Sequence, residues 1–412
     1  MKTLFKSALI LDPRSPHHGK KRDVLIDKGT IVSIAASLPE EKAKVVKEKG
    51  LVITTGFIDL QARFGEPGHE YKEDFSSGIA AAKAGGYTRI ALLPSTTPPV
   101  DNKASVDFMK RKGIMHDFII HPIGTLSDKR EGKQLSEMFD MKNAGAVAFS
   151  DDKQSVSTEL MARALEYTQN FDGLVMSFPL DPGVNPGAQV HEGPTSTRMG
   201  MKGLSHASEE IRLSRDLDLL RYLGGRLHVS LISTAKSVDL IRKAKKEGLQ
   251  VTCAIAAHQL SFLDEDMMGF DTHLKVLPPF RTKEDRKALI AGLKDGTIDA
   301  ICSDHTPEDV EHKQLEFEHA NFGMNTIQHA FPIAYTALAD SLDLETIVSK
   351  FTAGPRAILR ADQPVIEAGQ AAEITIFSTD AETTVSLSKK EWMSKTGNTG
   401  FEGKGLKGKM IK

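Results

Sequence analysis

Cysteine is nearly absent from this chain of 412 residues, which contains only Cys253 and Cys302. Two thiols are too few for a disulfide framework or a cysteine-based zinc site, so a reducing, cytoplasmic compartment is expected. An excess of either charge is also missing, because 53 basic residues stand against 55 acidic ones. This balance argues against binding to nucleic acid through bulk charge.

Long apolar runs are missing from the N-terminus, where residues 8–11 form a short run before Asp12 and Pro13. So short a run cannot serve as a signal-peptide core or a membrane-spanning helix. We therefore expect a soluble protein with no membrane partner. A low-complexity linker is missing as well, and 40% hydrophobic with 26% charged residues is typical of a globular fold.

Short apolar segments alternate with amphipathic stretches that end in glycine. The stretches 76–84, 235–246 and 283–294 show this pattern, and their glycines suit the left-handed position that ends a helix. Apolar strands separated by helices predict a parallel sheet covered by helices. Eight such units over about 300 residues favour a (β/α)8 barrel. The eight segments are 53–60, 88–93, 118–123, 146–149, 174–178, 227–231, 251–256 and 300–302.

Both ends of the chain carry β-like patterns. Residues 23–27 and 31–34 alternate around the turn Lys28-Gly29, and residues 373–377 follow a second turn. The two ends are therefore predicted to share one small β-sandwich domain. Its predicted bounds are 1–52 with 355–412, and the barrel domain is predicted to span 53–354.

Functional side chains of such a barrel lie at the carboxyl ends of its strands, where the βα loops gather. This rule selects a set of candidate positions along the chain. They are Gln61, Arg63, Gly65, Ser95, Asp151, Asp152, Phe178, Leu231, His258, Asp304 and Glu308.

Four segments resemble class I dihydroorotase, of the amidohydrolase superfamily. They are GFIDLQARFGEPGHEYKEDFSSGIAAAKAGGYT, KVLPPFRTKEDRKALIAGLKDG, DGTIDAICSDHTPE and SKTGNTGFEGKGLKGK. The resemblance runs from the N-terminal strands to the last ten residues. It implies a barrel with a β-sandwich built from both chain ends. It also implies one or two zinc ions that activate a water to open the dihydroorotate ring, or the reverse cyclisation of carbamoyl-aspartate, in pyrimidine synthesis.

The metal ligands that the resemblance implies are largely replaced. Gln61 and Arg63 stand where the family has a His-x-His pair, and Phe178 and Leu231 stand where it has two further histidines. Phenyl and aliphatic side chains have no lone pair for zinc. Of the implied ligands, only the carboxylates of Asp151, or its neighbour Asp152, and of Asp304 remain.

The substrate contacts that the resemblance implies are replaced too. Gly65 stands for an arginine, Ser95 and Leu277 stand for two asparagines, and Glu308 stands for a histidine. Each lost charged or amide contact removes about 1 to 3 kcal/mol of binding. We therefore regard these residues, like the metal positions, as vestigial, with Asp304 the one candidate for a catalytic group.

These departures predict a non-catalytic homologue with no cofactor that acts as a structural partner of aspartate carbamoyltransferase. The partner is implied by the resemblance alone, and self-association into a homo-oligomer is left open. The alternative is an active dihydroorotase, or a related cyclic amidohydrolase, with zinc on Asp151, Asp304 and a recruited His258. A third reading is a sensor that binds a small ligand in the vacated pocket, which Phe178 and Leu231 would make more apolar.

Arg63 carries a more specific hypothesis. Its guanidinium stands at a former ligand position, near the remaining aspartates. We expect it to supply the positive charge that keeps Asp151 and Asp304 ionised, since two carboxylates in a dry pocket would otherwise repel each other. The imidazoles of His228 and His258 are more typical of hydrogen-bonded core histidines than of ligands.

Overall fold

The computed structural model describes residues 2–40 and 42–411. Its strands are β1 (Thr3–Leu11), β2 (Lys21–Asp27), β3 (Thr30–Ala35), β4 (Lys44–Val46), β5 (Leu51–Thr55), β6 (Phe57–Ala62), β7 (Tyr87–Leu92), β8 (Ile119–Gly124), β9 (Ala148–Phe149), β10 (Val175–Ser177), β11 (Val190–His191), β12 (Gly203–Leu204), β13 (Leu227–Val229), β14 (Val251–Ala256), β15 (Ala300–Cys302), β16 (Ile374–Thr384) and β17 (Gly405–Met410).

Helices fill most of the connections between these strands. They are α1 (Phe75–Ala84), α2 (Lys103–Met115), α3 (Met138–Ala144), α4 (Thr158–Thr168), α5 (Pro194–Met199), α6 (His206–Leu223), α7 (Ala235–Lys246), α8 (Lys283–Lys294), α9 (Val310–Lys313), α10 (Ala330–Leu338), α11 (Leu344–Ser349) and α12 (Ala353–Leu359). Short 3-10 helices cover Asp128–Arg130, Gln169–Phe171, Ala257–Leu260, Asp264–Gly269 and Thr272–Leu274.

Eight parallel strands form the barrel, in the order β6-β7-β8-β9-β10-β13-β14-β15. The seam between the last and first strands carries a parallel bridge between Ala62 and His305. The amide of Arg63 donates to the carbonyl of His305 at this seam, over 3.0 Å. The predicted barrel is therefore confirmed, with a nearly closed sheet and helices around it.

The first predicted strand, 53–60, is wrong at its start. The chain leaves β5 at Thr55 and enters β6 at Phe57, and these strands belong to different sheets. Gly56 lies between the two strands, where the chain passes from one sheet to the other. A larger residue would not fit there, because a Cβ would lie 2.1 Å from the hydroxyl of Thr88. Apolar periodicity alone does not show this break, since both strands are buried.

The two chain ends meet in a seven-stranded sheet with the order β17-β16-β5-β1-β2-β3, in which β4 also pairs with β1. The predicted hairpin at Lys28-Gly29 joins β2 to β3, and both turn residues have positive φ, as a type I′ turn requires. This sheet has its own buried apolar cluster around Phe5, Val24 and Ile31. The division into 1–52 with 355–412 and 53–354 stays a prediction.

The interior of the barrel is filled by apolar side chains, including Leu60, Leu93 and Ile123. Phe178 and Leu231 belong to the same cluster, so the apolar interior continues to the ends of their strands. Within residues 2–40 and 42–411, none of the helices combines the length and apolar character needed to cross a bilayer.

Candidate active site

Polar side chains from four strand ends meet at one mouth of the barrel. Arg63 follows β6, Ser95 follows β7, Asp152 follows β9 and Asp304 follows β15. Parallel strands bring their carboxyl ends to the same edge, so residues far apart in sequence become neighbours there. Sequence reasoning selected all four positions.

The guanidinium of Arg63 lies between two carboxylates. Its Nε donates to Oδ2 of Asp152 over 2.8 Å, and Nη2 donates to the other oxygen of the same group. Its Nη1 donates to Oδ1 of Asp304 over 3.0 Å and to Oγ1 of Thr306 over 2.7 Å. The Arg63 side chain is 14% exposed, and the two carboxylates are 5% and 3% exposed.

The hypothesis that Arg63 pairs with Asp304 agrees with this geometry, but its second partner is Asp152 rather than Asp151. Asp151 accepts from the amides of Leu126 and Ser127 over 2.9 and 3.0 Å, and from the Ser127 hydroxyl. Its carboxylate is thus used by the loop that follows β8. Asp151 and Asp152 are adjacent in the chain, but their carboxylates bind different partners. The sequence does not show which of the two faces Arg63.

The charges hold both paired aspartates in the ionised form. Burial would raise the pKa of Asp152, but the guanidinium of Arg63 outweighs burial and lowers it. Burial opposes ionisation of Asp304 too, yet Lys153, His258 and Arg63 hold the pKa of that carboxyl well below its usual range. Burial raises the pKa of Asp151 against the hydrogen bonds from Ser127.

Both carboxylates that bind Arg63 come from residues with unusual backbone angles. Asp152 has φ of 57° and Asp304 has φ of 48°, in the left-handed region. Aspartate tolerates this region better than most residues, but the conformation still requires support from its surroundings. The ion pairs with Arg63 supply such support and aim both carboxylates at one point.

Lys153 is a member of the site that sequence reasoning missed. Its Nζ lies 3.5 Å from Oδ2 of Asp304 and 5.8 Å from the centre of the Phe178 ring. Burial lowers the pKa of Lys153, while the charge of Asp304 acts against that change. Lys153 directly follows Asp151 and Asp152 at the same strand end. This position was the one feature of the sequence that could have indicated its place in the site.

The two barrel histidines occupy different environments. Nε2 of His258 lies 3.6 Å from Oδ2 of Asp304, and its ring packs edge-on to Phe280 at 5.6 Å. Its side chain is fully buried, and neither ring nitrogen has a hydrogen-bond partner among the described residues. His228 bonds to the Thr252 hydroxyl through Nδ1 at 2.9 Å, so it is a core residue.

The replaced substrate positions have structural roles here. A Cβ on Gly65 would lie 2.0 Å from the carbonyl oxygen of His69, so the present backbone leaves no room for an arginine there. Glu308 binds Lys72 at 2.8 Å and accepts from Nδ2 of Asn321 at 3.0 Å. Leu277 packs against the apolar cluster of the barrel interior.

Similarity to known proteins covers both the barrel and the terminal sheet. The family model described as Dihydro-orotase-like matches residues 50–237. The dihydroorotase of Acetivibrio thermocellus is 38% identical over 409 residues, covering 98% of this chain and 95% of the relative. That of Syntrophus aciditrophicus is 37% identical over 417 residues, covering 100% and 97%.

The chain belongs to the dihydroorotase-like family. Solved structures of other proteins have the same fold over nearly the whole chain. The L-hydantoinase of Arthrobacter aurescens superimposes with a TM-score of 0.83 at 20% identity, covering 99% of this chain and 93% of the other. The D-hydantoinase of Bacillus sp. AR9 superimposes with a TM-score of 0.79 at 18% identity, covering 99% and 93%.

Two predictions are contradicted by family membership. The chain was predicted not to be an enzyme, yet its end-to-end relatives are named for an enzymatic activity, dihydroorotase. The prediction of no cofactor is contradicted on the same ground, because the resemblance to this family carries zinc dependence with it. The replacement of side chains at the metal and substrate positions therefore does not show that the chain lacks activity or a cofactor.

The donor atoms at the barrel mouth do not fit the zinc site implied by the family. Zinc prefers imidazole and thiolate donors, and the mouth offers two carboxylates already bound to Arg63. Among residues 2–40 and 42–411, no three His, Cys, Asp or Glu side chains are grouped to hold a metal. Of the charged side chains of the site, that of Lys153 is the most exposed, at 19%, against 14% for Arg63, 5% for Asp152 and 3% for Asp304.

Proposed function

We propose that the chain interconverts dihydroorotate and carbamoyl-aspartate by hydrolysis and closure of the ring amide. The observation that carries the proposal is the match to named dihydroorotases at 37 to 38% identity over nearly the whole of both chains. In hydrolysis the ring C–N bond breaks, the carbonyl carbon gains the hydroxyl of water and the nitrogen gains its proton. The function is therefore that of a cyclic amide hydrolase with an atypical site.

Asp304 is the proposed group that orients the reacting water or ring N–H. It lies at the carboxyl end of β15, where barrels of this type hold their reactive groups. Because Lys153, His258 and Arg63 hold its pKa low, the carboxylate stays ionised at neutral pH. An ionised carboxylate accepts hydrogen bonds and fixes the orientation of a donor.

Lys153 is the proposed anchor for the negative charge of the substrate. Dihydroorotate carries a carboxylate, and Gly65 offers no cation at the position implied by the resemblance. The Lys153 side chain is 19% exposed at the mouth, and Asp304 is its one ion-pair partner in the part of the chain described. Its remaining N–H donors can bind a substrate carboxylate with charge-assisted hydrogen bonds.

Turnover by the purified protein tests this proposal. Dihydroorotate hydrolysis and its reverse are assayed with added zinc, manganese and cobalt, beside an Asp304→Asn variant purified in the same way. We expect turnover by the natural protein and a loss of about 100-fold in the variant, because misplacing a reacting group by about 1 Å costs a rate of that order. Equal rates would identify a contaminating host enzyme, and no turnover by folded protein with any metal would refute the proposal.

We also propose aspartate carbamoyltransferase as an assembly partner, as the resemblance implies. Ile114 and Met115 at the end of α2 are 77% and 76% exposed, and Tyr222 on α6 is 84% exposed. Ile114 and Met115 are neighbours in the chain, and adjacent exposed apolar side chains form a surface that a partner protein would bury. Co-elution of the two purified proteins, weakened by Ile114→Ser with Met115→Ser but unaffected by Val310→Ser, would support the pairing. Separate elution at micromolar concentration would refute it.

A further inference from the structure

A cavity of about 420 Å³ lies among α8, α10 and the start of β17. Residues from these three elements form its walls, namely Ile290, Thr336, Ala337, Gly405 and Leu406. Pockets that bind small molecules have volumes of about 300 to 1,000 Å³, so this cavity is large enough for a ligand. Among the residues described, none of those that line it belongs to the candidate active site.

The floor of the cavity is apolar and partly aromatic. It consists of Leu260, Phe262, Phe401 and Leu406, whose exposure does not exceed 6%. The ring centres of Phe262 and Phe401 lie 4.8 Å apart, with an angle of 55° between the ring planes. Phenyl rings offer a ligand ring a surface for offset or edge-on packing. The floor therefore suits the apolar, aromatic part of a ligand.

Two cationic side chains also line the cavity. Arg286 on α8 is partly exposed, and its Nη1 makes one long hydrogen bond, of 3.5 Å, to the carbonyl oxygen of Ser261. Lys404 is exposed, and its ammonium lies 4.9 Å from the centre of the Phe262 ring. Neither cation forms an ion pair with any residue in the described part of the chain. Most of their N–H donors are therefore available to a ligand.

The positive charge of this lining is not compensated. Of the residues described, no Asp or Glu lines the cavity. A guanidinium binds a carboxylate through two parallel hydrogen bonds, and an ammonium adds another charge-assisted bond. The lining is therefore complementary to a ligand that combines an aromatic ring with a negative charge.

We propose that this cavity binds a small aromatic carboxylate, with the ring on the floor and the carboxylate at Arg286 and Lys404. The site is separate from the barrel mouth, and its lining residues take no part in the proposed reaction. Binding is measured without turnover. This inference and the proposed dihydroorotase activity can therefore fail independently.

Fluorine NMR tests the proposal with a matched pair of probes. The first probe, para-trifluoromethyl benzoate, carries the ring and the carboxylate, and para-trifluoromethyl benzamide has nearly the same shape without the charge. Each probe is titrated with the full-length chain, and the change in its line width gives Kd. We expect the benzoate to bind at least about tenfold more tightly than the benzamide. Equal Kd values for the two probes would overturn the inference.

Removal of the cations locates the charge that the benzoate contacts. Arg286→Gln should raise Kd for the benzoate about tenfold, and adding Lys404→Gln should bring it to the value of the benzamide. Lys287→Gln is the matched control, since Lys287 is exposed beside Arg286 on α8 and does not line the cavity. An equal loss in Lys287→Gln would contradict the assignment. Loss of benzoate binding in Lys153→Met would place the ligand at the barrel mouth and would contradict it too.

Filling the cavity gives a second, charge-independent test. Ala337 on α10 is partly buried in the cavity wall, and leucine there is larger and also favours a helix. Ala337→Leu should weaken the binding of both probes by similar factors. Unchanged binding of both would show that they bind elsewhere. If circular dichroism shows that this variant does not fold, the Arg286 and Lys404 variants decide, because neither side chain is buried.

A second copy of the chain is the other occupant that the experiment distinguishes. Light scattering measures the molar mass of the natural chain and of Arg286→Gln with Lys404→Gln at the concentrations used for NMR. We expect the same mass for both. A lower mass for the double variant would assign this surface to a contact between copies and would overturn the inference.

Discussion

Nη1 of Arg63 donates to Oδ1 of Asp304 over 3.0 Å, and this ion pair joins the two strands that meet at the seam of the barrel. Arg63 follows β6, the first barrel strand, and Asp304 follows β15, the last. A backbone hydrogen bond from Arg63 to His305 lies beside the pair. The charges of the candidate site therefore also help to close the barrel.

Arg63→Gln is expected to destabilise the fold by about 3 to 5 kcal/mol, because it leaves Asp152 and Asp304 buried without their cation. Adding Asp304→Asn should restore part of this loss, since one uncompensated charge disappears. Urea unfolding measures both changes. The exposed control Arg163→Gln should change stability by less than about 1 kcal/mol. A similar small change for Arg63→Gln would show that the pair does not stabilise the fold.

Lys153→Met is expected to raise KM for dihydroorotate by about tenfold or more with a smaller change in kcat. The reason is that a charge-assisted hydrogen bond to the substrate contributes about 1.5 to 3 kcal/mol to binding. Lys153→Arg should recover part of the affinity, because the positive charge is kept. Steady-state kinetics check both variants. An unchanged KM in Lys153→Met would remove the proposed anchoring role.

Lys313 should make the free energy of unfolding increase with pH between about pH 7 and pH 10. It is buried and donates to the carbonyl of Asn321 over 2.8 Å, and burial lowers its pKa from 10.5 to about 7, against the charge of Glu308. Between these pKa values the unfolded chain binds more protons than the folded one, so stability rises with pH. The gain is about 1.4 kcal/mol per pH unit in this window.

Lys313→Met removes that titration. Relative to this variant, the natural chain should therefore gain stability from pH 7 towards pH 10, as measured by urea unfolding across the pH range. Below pH 7 the difference between the two chains should stay constant, because Lys313 is then protonated in both states. Parallel stability curves above pH 7 would contradict the assignment.

Asn398 connects the C-terminal segment to the loop that follows β15. Its Nδ2 donates to the carbonyl of Thr306 and its Oδ1 accepts from the amide of Glu308, each over 3.0 Å. Asn398→Ala leaves both buried groups without this partner and should destabilise the fold by about 2 to 4 kcal/mol. Faster hydrogen exchange at the Glu308 amide is the local readout. The exposed control Asn170→Ala should have little effect.

Much of the fold could be predicted from apolar periodicity and glycine positions. The barrel and the hairpin at Lys28-Gly29 were predicted in this way and are confirmed. The break at Gly56 could not be predicted, since it depends on the approach of Thr88 from the next strand. Lys153 was missed because its role depends on Asp304, 151 residues further along the chain.

The sequence by itself determined the fold class and the family, because strand and helix periods and local motifs are properties of neighbouring residues. It also placed Arg63, Ser95, Asp152 and Asp304 after strands whose carboxyl ends meet at one edge of the barrel. Only the tertiary structure decided that Asp152, and not Asp151, faces Arg63. The reason is physical: adjacent side chains diverge, and which one meets a distant partner depends on backbone angles and packing across the whole barrel.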